Sequence, residues 1–256
     1  MKPPRVRRRR TSERLRRGVY VIPSLFTVAN MLFGFLSAVA SSRGQFERAG
    51  LLVLVAVIAD VLDGRIARLT GTTTSFGEAV DSLADVVSFG VAPAMLAYHW
   101  GLWQQPRAGM FLCFLFLAAG AIRLARFSTT PQPSRSFIGL PIPAAASGIA
   151  MLVLMSPEPV LHPAFIPVVG VFVVALSLLM VSNLPYRSFK ALNLRRPWPA
   201  PTLFLVAVVV ALAFIEPRLL AQALSVLLVV YILSAPFAVL TGRFRRPASR
   251  EEHHEP

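Results

Sequence analysis

The feature that most limits what this chain can fold into is a succession of apolar runs, each near the length of a bilayer crossing and separated by short polar links. A spanning helix needs about 20 apolar residues. Eight stretches approach that length, roughly 20–41, 49–69, 79–100, 108–127, 141–156, 163–182, 200–215 and 219–241, of which the fifth and seventh are short. Pro23, Pro141, Pro143, Pro163, Pro199 and Pro217 stand at or near their edges, where a helix begins or a loop turns. The expected fold class is all-α: a polytopic integral membrane bundle of about eight transmembrane helices. Composition agrees, since 55% apolar and 15% charged residues depart from soluble usage. A basic tail over 1–18, a membrane-embedded domain over 19–242 and a second tail over 243–256 complete the organisation, with no repeat and no soluble second domain visible.

A formal net charge of +14 invites a nucleic-acid reading. A nucleic-acid binder, however, shows its basic residues on a hydrated face, and here they sit between apolar runs. With the N-terminus inside and eight crossings, 22 of the 26 Lys and Arg residues fall on the inner side. Only Arg43, Arg48, Arg107 and Arg218 fall outside, the asymmetry of the positive-inside rule. No nucleic-acid partner is expected; membrane lipids are. Both termini are expected in the cytoplasm, with the chain in a bacterial inner membrane. The tail before Val19 reads as a topology signal drawn to anionic lipid, the alternative being a dedicated partner-binding arm. Ala38-Val39-Ala40 resembles a signal-peptide cleavage site, but the apolar run is too long and is interrupted by Pro23 and Asn30, so it reads as a retained first helix. Cys113 is the only cysteine, which excludes an internal disulfide and leaves a packing role.

Charged residues inside spans are costly and functional by default. All four aspartates of the chain, Asp60, Asp63, Asp81 and Asp85, lie within one 26-residue segment. On a helix of about 100° per residue, Asp60 and Asp63 share a face with Gly64, Ala67 and Arg68. On the next helix Gly77, Asp81 and Asp85 recur every fourth residue and stack on one face. A short link around Gly71 makes these helices antiparallel neighbours, so the two faces are expected to meet near the cytoplasmic side. Four carboxylates converging in low dielectric repel unless a cation neutralises them. Oxygen-only ligands favour a hard ion, Mg²⁺ or Mn²⁺, and such ions serve phosphoryl transfer. Gly64 and Ala67 leave room for a base or phosphate beside the carboxylates. Interhelical pairing with Arg65 and Arg68, or helix capping, accounts for one or two of the aspartates but not for all four at these spacings.

These residues resemble the signature of the CDP-alcohol phosphatidyltransferase family, D-x2-D-G-x2-A-R-x8-G-x3-D-x3-D. It is matched at every fixed position by Asp60, Asp63, Gly64, Ala67, Arg68, Gly77, Asp81 and Asp85. The resemblance implies that Asp60, Asp63 and Asp81 bind two metal ions, and that Asp85 touches metal and acts as general base. It implies further that Asp60, Gly64, Ala67, Arg68, Thr74 and Gly77 lie along the CDP-lipid, and that the protein is a homodimer with a six-helix catalytic core in each protomer. Four further segments, IPSLFTVANMLFGF, RLARFS, FIGLPIPAAA and SNLPYRSFK, are similar to the bacterial serine-using branch of the family. The chain departs from that branch at Ser24 and Ser128, where Asn is usual, and the resemblance assigns those positions no role.

The implied reaction transfers the phosphatidyl group of CDP-diacylglycerol to L-serine, with release of CMP. Arg123 and Arg126, three apart at the inner end of a helix, suit the carboxylate or a phosphate of the acceptor, and Arg135 lies in a loop able to close over it. Equally, these arginines supply inner positive charge or meet lipid headgroups. Asn30 either contacts ligand or satisfies a backbone group; ligand is the expectation. Glycerol 3-phosphate and inositol phosphate are the alternative acceptors. A cation- or proton-coupled transporter is the alternative class, and it predicts carboxylates spread through the bilayer depth. His99 and His162 read as interfacial residues at the outer ends, His253 and His254 as part of a solvated end, and Trp103 and Trp198 as interface anchors.

Overall fold

The computed structural model describes residues 9–70, 74–129 and 136–187, and near the C-terminus 225–226, 228–234 and 236–237. Seven α-helices follow one another: α1 (Arg9–Ser42), α2 (Phe46–Thr70), α3 (Ser75–Asp85), α4 (Ala92–Trp100), α5 (Pro106–Thr129), α6 (Ile142–Met155) and α7 (Phe165–Val181). Helices α3 and α4 are joined through a π turn, Val86–Val91, into one rod. Each of the first six expected apolar runs is therefore helical. Residues 225–237 are helical where described; the seventh run, 200–215, and the rest of the eighth lie outside the described residues, as do 1–8, Arg135 and 243–256.

Among the described residues, three helical segments are long and apolar enough to cross a membrane: Leu25–Ser42, Ser75–Trp100 and Pro106–Ser128. Helix α2 has the length, but its second half carries Asp60, Asp63, Arg65 and Arg68; α6 and α7 are apolar but shorter. Side-chain exposure is the reverse of a water-soluble fold. Along α1, Leu25, Val28, Leu32 and Phe35 are exposed, while Thr27, Asn30, Gly34, Ser37 and Ser41 are buried at the same alternating spacing of three and four. Met110, Phe111, Phe114 and Ile122 extend the outward apolar surface on α5. Patches of this extent belong against lipid, and the chain is an integral membrane protein.

One expectation is corrected. Pro23 lies inside α1, not at its edge, and the helix runs back to Arg9, well into the segment read as a tail. The fold is mostly helical, in line with the expected class, and one short ribbon that the sequence did not announce lies outside the helices. Ser136–Ile138 (β1) and Pro185–Arg187 (β2) form an antiparallel ribbon in the register Ser136↔Arg187, Phe137↔Tyr186, Ile138↔Pro185. Its geometry depends on Gly139 at φ +78°, where a Cβ would stand 2.5 Å from the Met180 carbonyl oxygen. The ribbon ties the link before α6 to the end of α7. Gly139 N–H donates to Leu184 O at 2.8 Å, and Leu140 N–H to Leu179 O at 2.9 Å.

Packing follows small residues. Ala49, Val53 and Ala56 form the buried stripe of α2, and Asp60 and Asp63 continue it at the same spacing, so the carboxylates sit where α2 faces the bundle. At the rod's centre Pro93 has no N–H to give and its ring crowds the preceding turn. The π turn absorbs this: Ala92 N–H reaches back to Val87 O, one residue further than in an α-helix. There Ser88 lies against α1. A Cβ on Gly34 would come 2.5 Å from the Ser88 Cα, and Ser88 Oγ donates to Asn30 O at 2.8 Å. Gly34→Val is expected to separate the helices and cost about 1–3 kcal/mol, read as a lower unfolding temperature in detergent; an unchanged temperature would show that the crossing tolerates bulk. Cys113 is buried in the core, as its apolar run suggested.

Candidate active site

Antiparallel succession brings the second half of α2, helix α3, the last turns of α5 and the β-ribbon to one end of the bundle. His99 and His162 lie at the other end, where Trp100 Nε1 donates to Ser156 O at 2.9 Å and to Glu158 O at 2.8 Å and pins the α6–α7 link. At the first end, Asp60 from α2 and Asp81 and Asp85 from α3 each offer a carboxylate oxygen, and these oxygens lie within 4.8 Å of one another. Such a group fits a metal ion, with oxygen donors alone and hence a hard cation. In a medium of effective dielectric about 20, two unit charges at this separation repel by about 3.5 kcal/mol, and the triad contains three such pairs.

Asp63 borders the triad without belonging to it, its charge within electrostatic range of Asp81. The sequence spacing brings four carboxylates together; the structure gathers three, and turns Asp63 toward α1, where Thr27 Oγ1 donates to its Oδ2. Asp63 is only 5% exposed, and its Oδ1 is buried without a hydrogen-bond partner. Two more unsatisfied atoms belong to neighbours of the triad. Asn30 is fully buried and its Nδ2 donates to Asp85 Oδ1 at 3.4 Å, leaving Asn30 Oδ1 unpaired. Arg123 is 7% exposed and within electrostatic range of Asp85, with its guanidinium 4.3 Å over the Phe127 ring and its Nε unpaired. Buried polar atoms are almost always satisfied. An unpaired carboxylate oxygen, amide oxygen and guanidinium N–H next to one acidic cluster leave places for a cation and an anion together.

The remaining expected residues divide. Arg126 does not share Arg123's environment: it is exposed, and its Nη2 donates to Asn183 Oδ1 at 2.7 Å, linking α5 to the segment before β2. Thr74 has a structural task at the start of α3, where its hydroxyl caps the helix by accepting from Gly77 N–H at 3.0 Å. Both Thr74 and Gly77 are exposed at this end of the rod, and Gly64 is half-buried beside Asp63. The side chains of Ala67 and Arg68, and Arg135 altogether, lie outside the described residues.

Thr27 was not among the residues expected from sequence. The signal was present as the spacing Thr27, Asn30, Gly34, Ser37, Ser41, a polar and small stripe inside an apolar helix. Partners that orient a metal-binding carboxylate change ion affinity by about 10–100-fold when removed. Thr27→Val is expected to weaken Mn²⁺ binding by that order, measured by titration of the purified protein; unchanged affinity would leave Thr27 as packing only.

The site has the make-up of a membrane enzyme that handles phosphate esters, and comparison with known proteins names the class: a family profile of CDP-alcohol phosphatidyltransferases matches residues 20–182, and the chain belongs to that family. Among individual proteins it is similar to the CDP-diacylglycerol–serine O-phosphatidyltransferase of Helicobacter pylori, 41% identical over 84% of this chain and 89% of the relative. It is also similar to the Mycobacterium bovis protein of the same name, 32% identical over 90% of this chain and 82% of the relative. An archaetidylserine synthase of Methanothermobacter thermautotrophicus is 38% identical over 64% of this chain and 69% of its own length.

Proposed function

We propose that this protein transfers the phosphatidyl group of CDP-diacylglycerol to the hydroxyl of L-serine, giving phosphatidylserine and CMP. The observation that carries the reading is the set of unpaired buried atoms, Asp63 Oδ1, Asn30 Oδ1 and Arg123 Nε, next to the triad Asp60, Asp81 and Asp85. The names of the relatives over most of the chain support serine as the acceptor.

Asp60, Asp63, Asp81 and Asp85 would hold the divalent cations, two ions of Mg²⁺ or Mn²⁺. When bound, such ions would polarise phosphoryl oxygens and offset the charge that develops on CMP as the pyrophosphate linkage breaks. Asp85 takes the proton from the acceptor hydroxyl, with its carboxylate held by the Asn30 amide. The freed oxygen forms a bond to the lipid-linked phosphorus while the bond to the CMP oxygen breaks, and CMP leaves with that electron pair. Arg123, buried beside Asp85, receives the carboxylate of serine. Arg126 and Arg135 guard the approach, and Asn30, Asp60, Gly64, Ala67, Arg68, Thr74 and Gly77 lie along the CDP-lipid. A homodimer of eight-span protomers with a six-helix catalytic core, in a bacterial inner membrane with termini and site on the cytoplasmic side, completes the proposal.

The test offers serine, glycerol 3-phosphate and inositol phosphate separately to the purified protein with CDP-diacylglycerol and Mg²⁺ or Mn²⁺, and measures CMP. Release with serine is expected. Release only with a phosphorylated acceptor would remove serine, and none at all would remove the class.

A further inference from the structure

The β-ribbon and the C-terminal helical residues have no part in the chemistry described so far, yet they meet beside Arg123. Tyr186, from β2, is fully buried, and its hydroxyl donates 3.0 Å to the main-chain carbonyl of Ile232. That bond fastens the helical residues 228–234 to the ribbon. Its ring meets the ring of Tyr231 with centroids 5.6 Å apart, and Tyr231 in turn lies within electrostatic range of the Arg123 guanidinium. The Arg123 guanidinium also stacks over Phe127 on its own helix and lies within electrostatic range of Asp85. Ile232 is itself buried, near the α6 backbone at Gly148, so the helical stretch is seated and not loosely apposed.

A buried guanidinium with an unpaired N–H keeps one direction only if its surroundings keep it there. Phenylalanine and tyrosine rings are rigid walls of few rotamers, and a phenol adds one polar contact at a fixed distance. We infer that Tyr186 and Tyr231 form a clamp that fixes the Arg123 guanidinium beside Asp85, and so selects an acceptor whose carboxylate lies next to its hydroxyl. The two tyrosines are positioning residues: Tyr231 acts on Arg123, and Tyr186 acts through Tyr231. The inference rests on the proposed serine transfer and specifies what makes that site prefer serine.

The experiment compares serine with 2-amino-1,3-propanediol, which keeps the amine and hydroxyl but lacks the carboxylate, in the full chain reconstituted with CDP-diacylglycerol and Mn²⁺. The parent is expected to favour serine strongly in kcat/KM. Tyr231→Phe is expected to raise the KM for serine on the order of tenfold, the effect of one misaligned charge-assisted contact. The KM for CDP-diacylglycerol and turnover of the aminodiol should stay the same, so that the preference for serine shrinks by a similar factor. Tyr186→Phe should give the same pattern more weakly. Unchanged serine KM and preference in both variants would overturn the clamp while leaving serine transfer intact. Equal loss with both acceptors would also overturn it, because the tyrosines would then support the fold and not the guanidinium. A parent protein that releases no CMP with serine would overturn the reading beneath.

Discussion

Asp85→Asn is expected to lower CMP release by about three orders of magnitude, within the range for removal of a general base, while the protein still binds CDP-diacylglycerol. The amide matches the carboxylate in shape, so the rod, its π turn and the contact with α1 should survive. What it lacks is a site for the acceptor's proton. Asp85 also belongs to the triad, so weaker metal binding would contribute to the loss; titrating Mn²⁺ separates the two. If the carboxylate is the base, saturating metal leaves the rate low. Recovery to within tenfold of the parent at high Mn²⁺ would assign Asp85 to metal binding alone. Asn30→Ala provides a graded companion, since it removes the amide that donates 3.4 Å to Asp85 Oδ1 without touching the carboxylate.

The aspartates were legible because intramembrane charge is rare and their spacing is helical. Sequence spacing fixes which residues share a face of one helix; it does not fix the rotation of that helix against its neighbours. Asp63 shows the difference. It shares a face with Asp60, as periodicity requires, but lies about 60° around the helix, enough to turn it from the triad toward Thr27 on α1. Arg123 and Arg126 show it again. Three residues apart on α5, they read as one acceptor site, yet one is buried beside Asp85 and the other reaches Asn183. The ribbon was hidden for another reason. Segments of three residues have no measurable period, and the pairing of Phe137 with Tyr186 crosses two helices in sequence. The six described apolar runs were readable as helices because bilayer length is a coarse requirement; the π turn was not, as it answers to Pro93 and to the close approach of Ser88 and Gly34.

Asp81→Asn tests the electrostatic argument through stability rather than turnover, and the size of its effect depends on metal. Without divalent ions, the parent holds three carboxylates within 4.8 Å of one another, and each charged pair opposes the fold by about 3.5 kcal/mol or more at an effective dielectric of about 20. Removing one charge relieves two of the three repulsions, so in a chelating buffer the variant should unfold at a higher temperature than the parent. With Mn²⁺ at a hundred times its dissociation constant, the parent gains about 2.7 kcal/mol from binding, whereas the variant, short of a ligand, gains little. The variant's lead in unfolding temperature should therefore shrink between chelator and Mn²⁺ by the equivalent of about 2.7 kcal/mol, and CMP release should fall steeply in the variant. A site built of salt bridges predicts the opposite in chelator, since losing a carboxylate would leave a buried cation without its partner and lower stability under both conditions. An undiminished lead, with equal stabilisation of both proteins by Mn²⁺, would remove Asp81 from the metal site and leave Asp60 and Asp85 to be explained by other means.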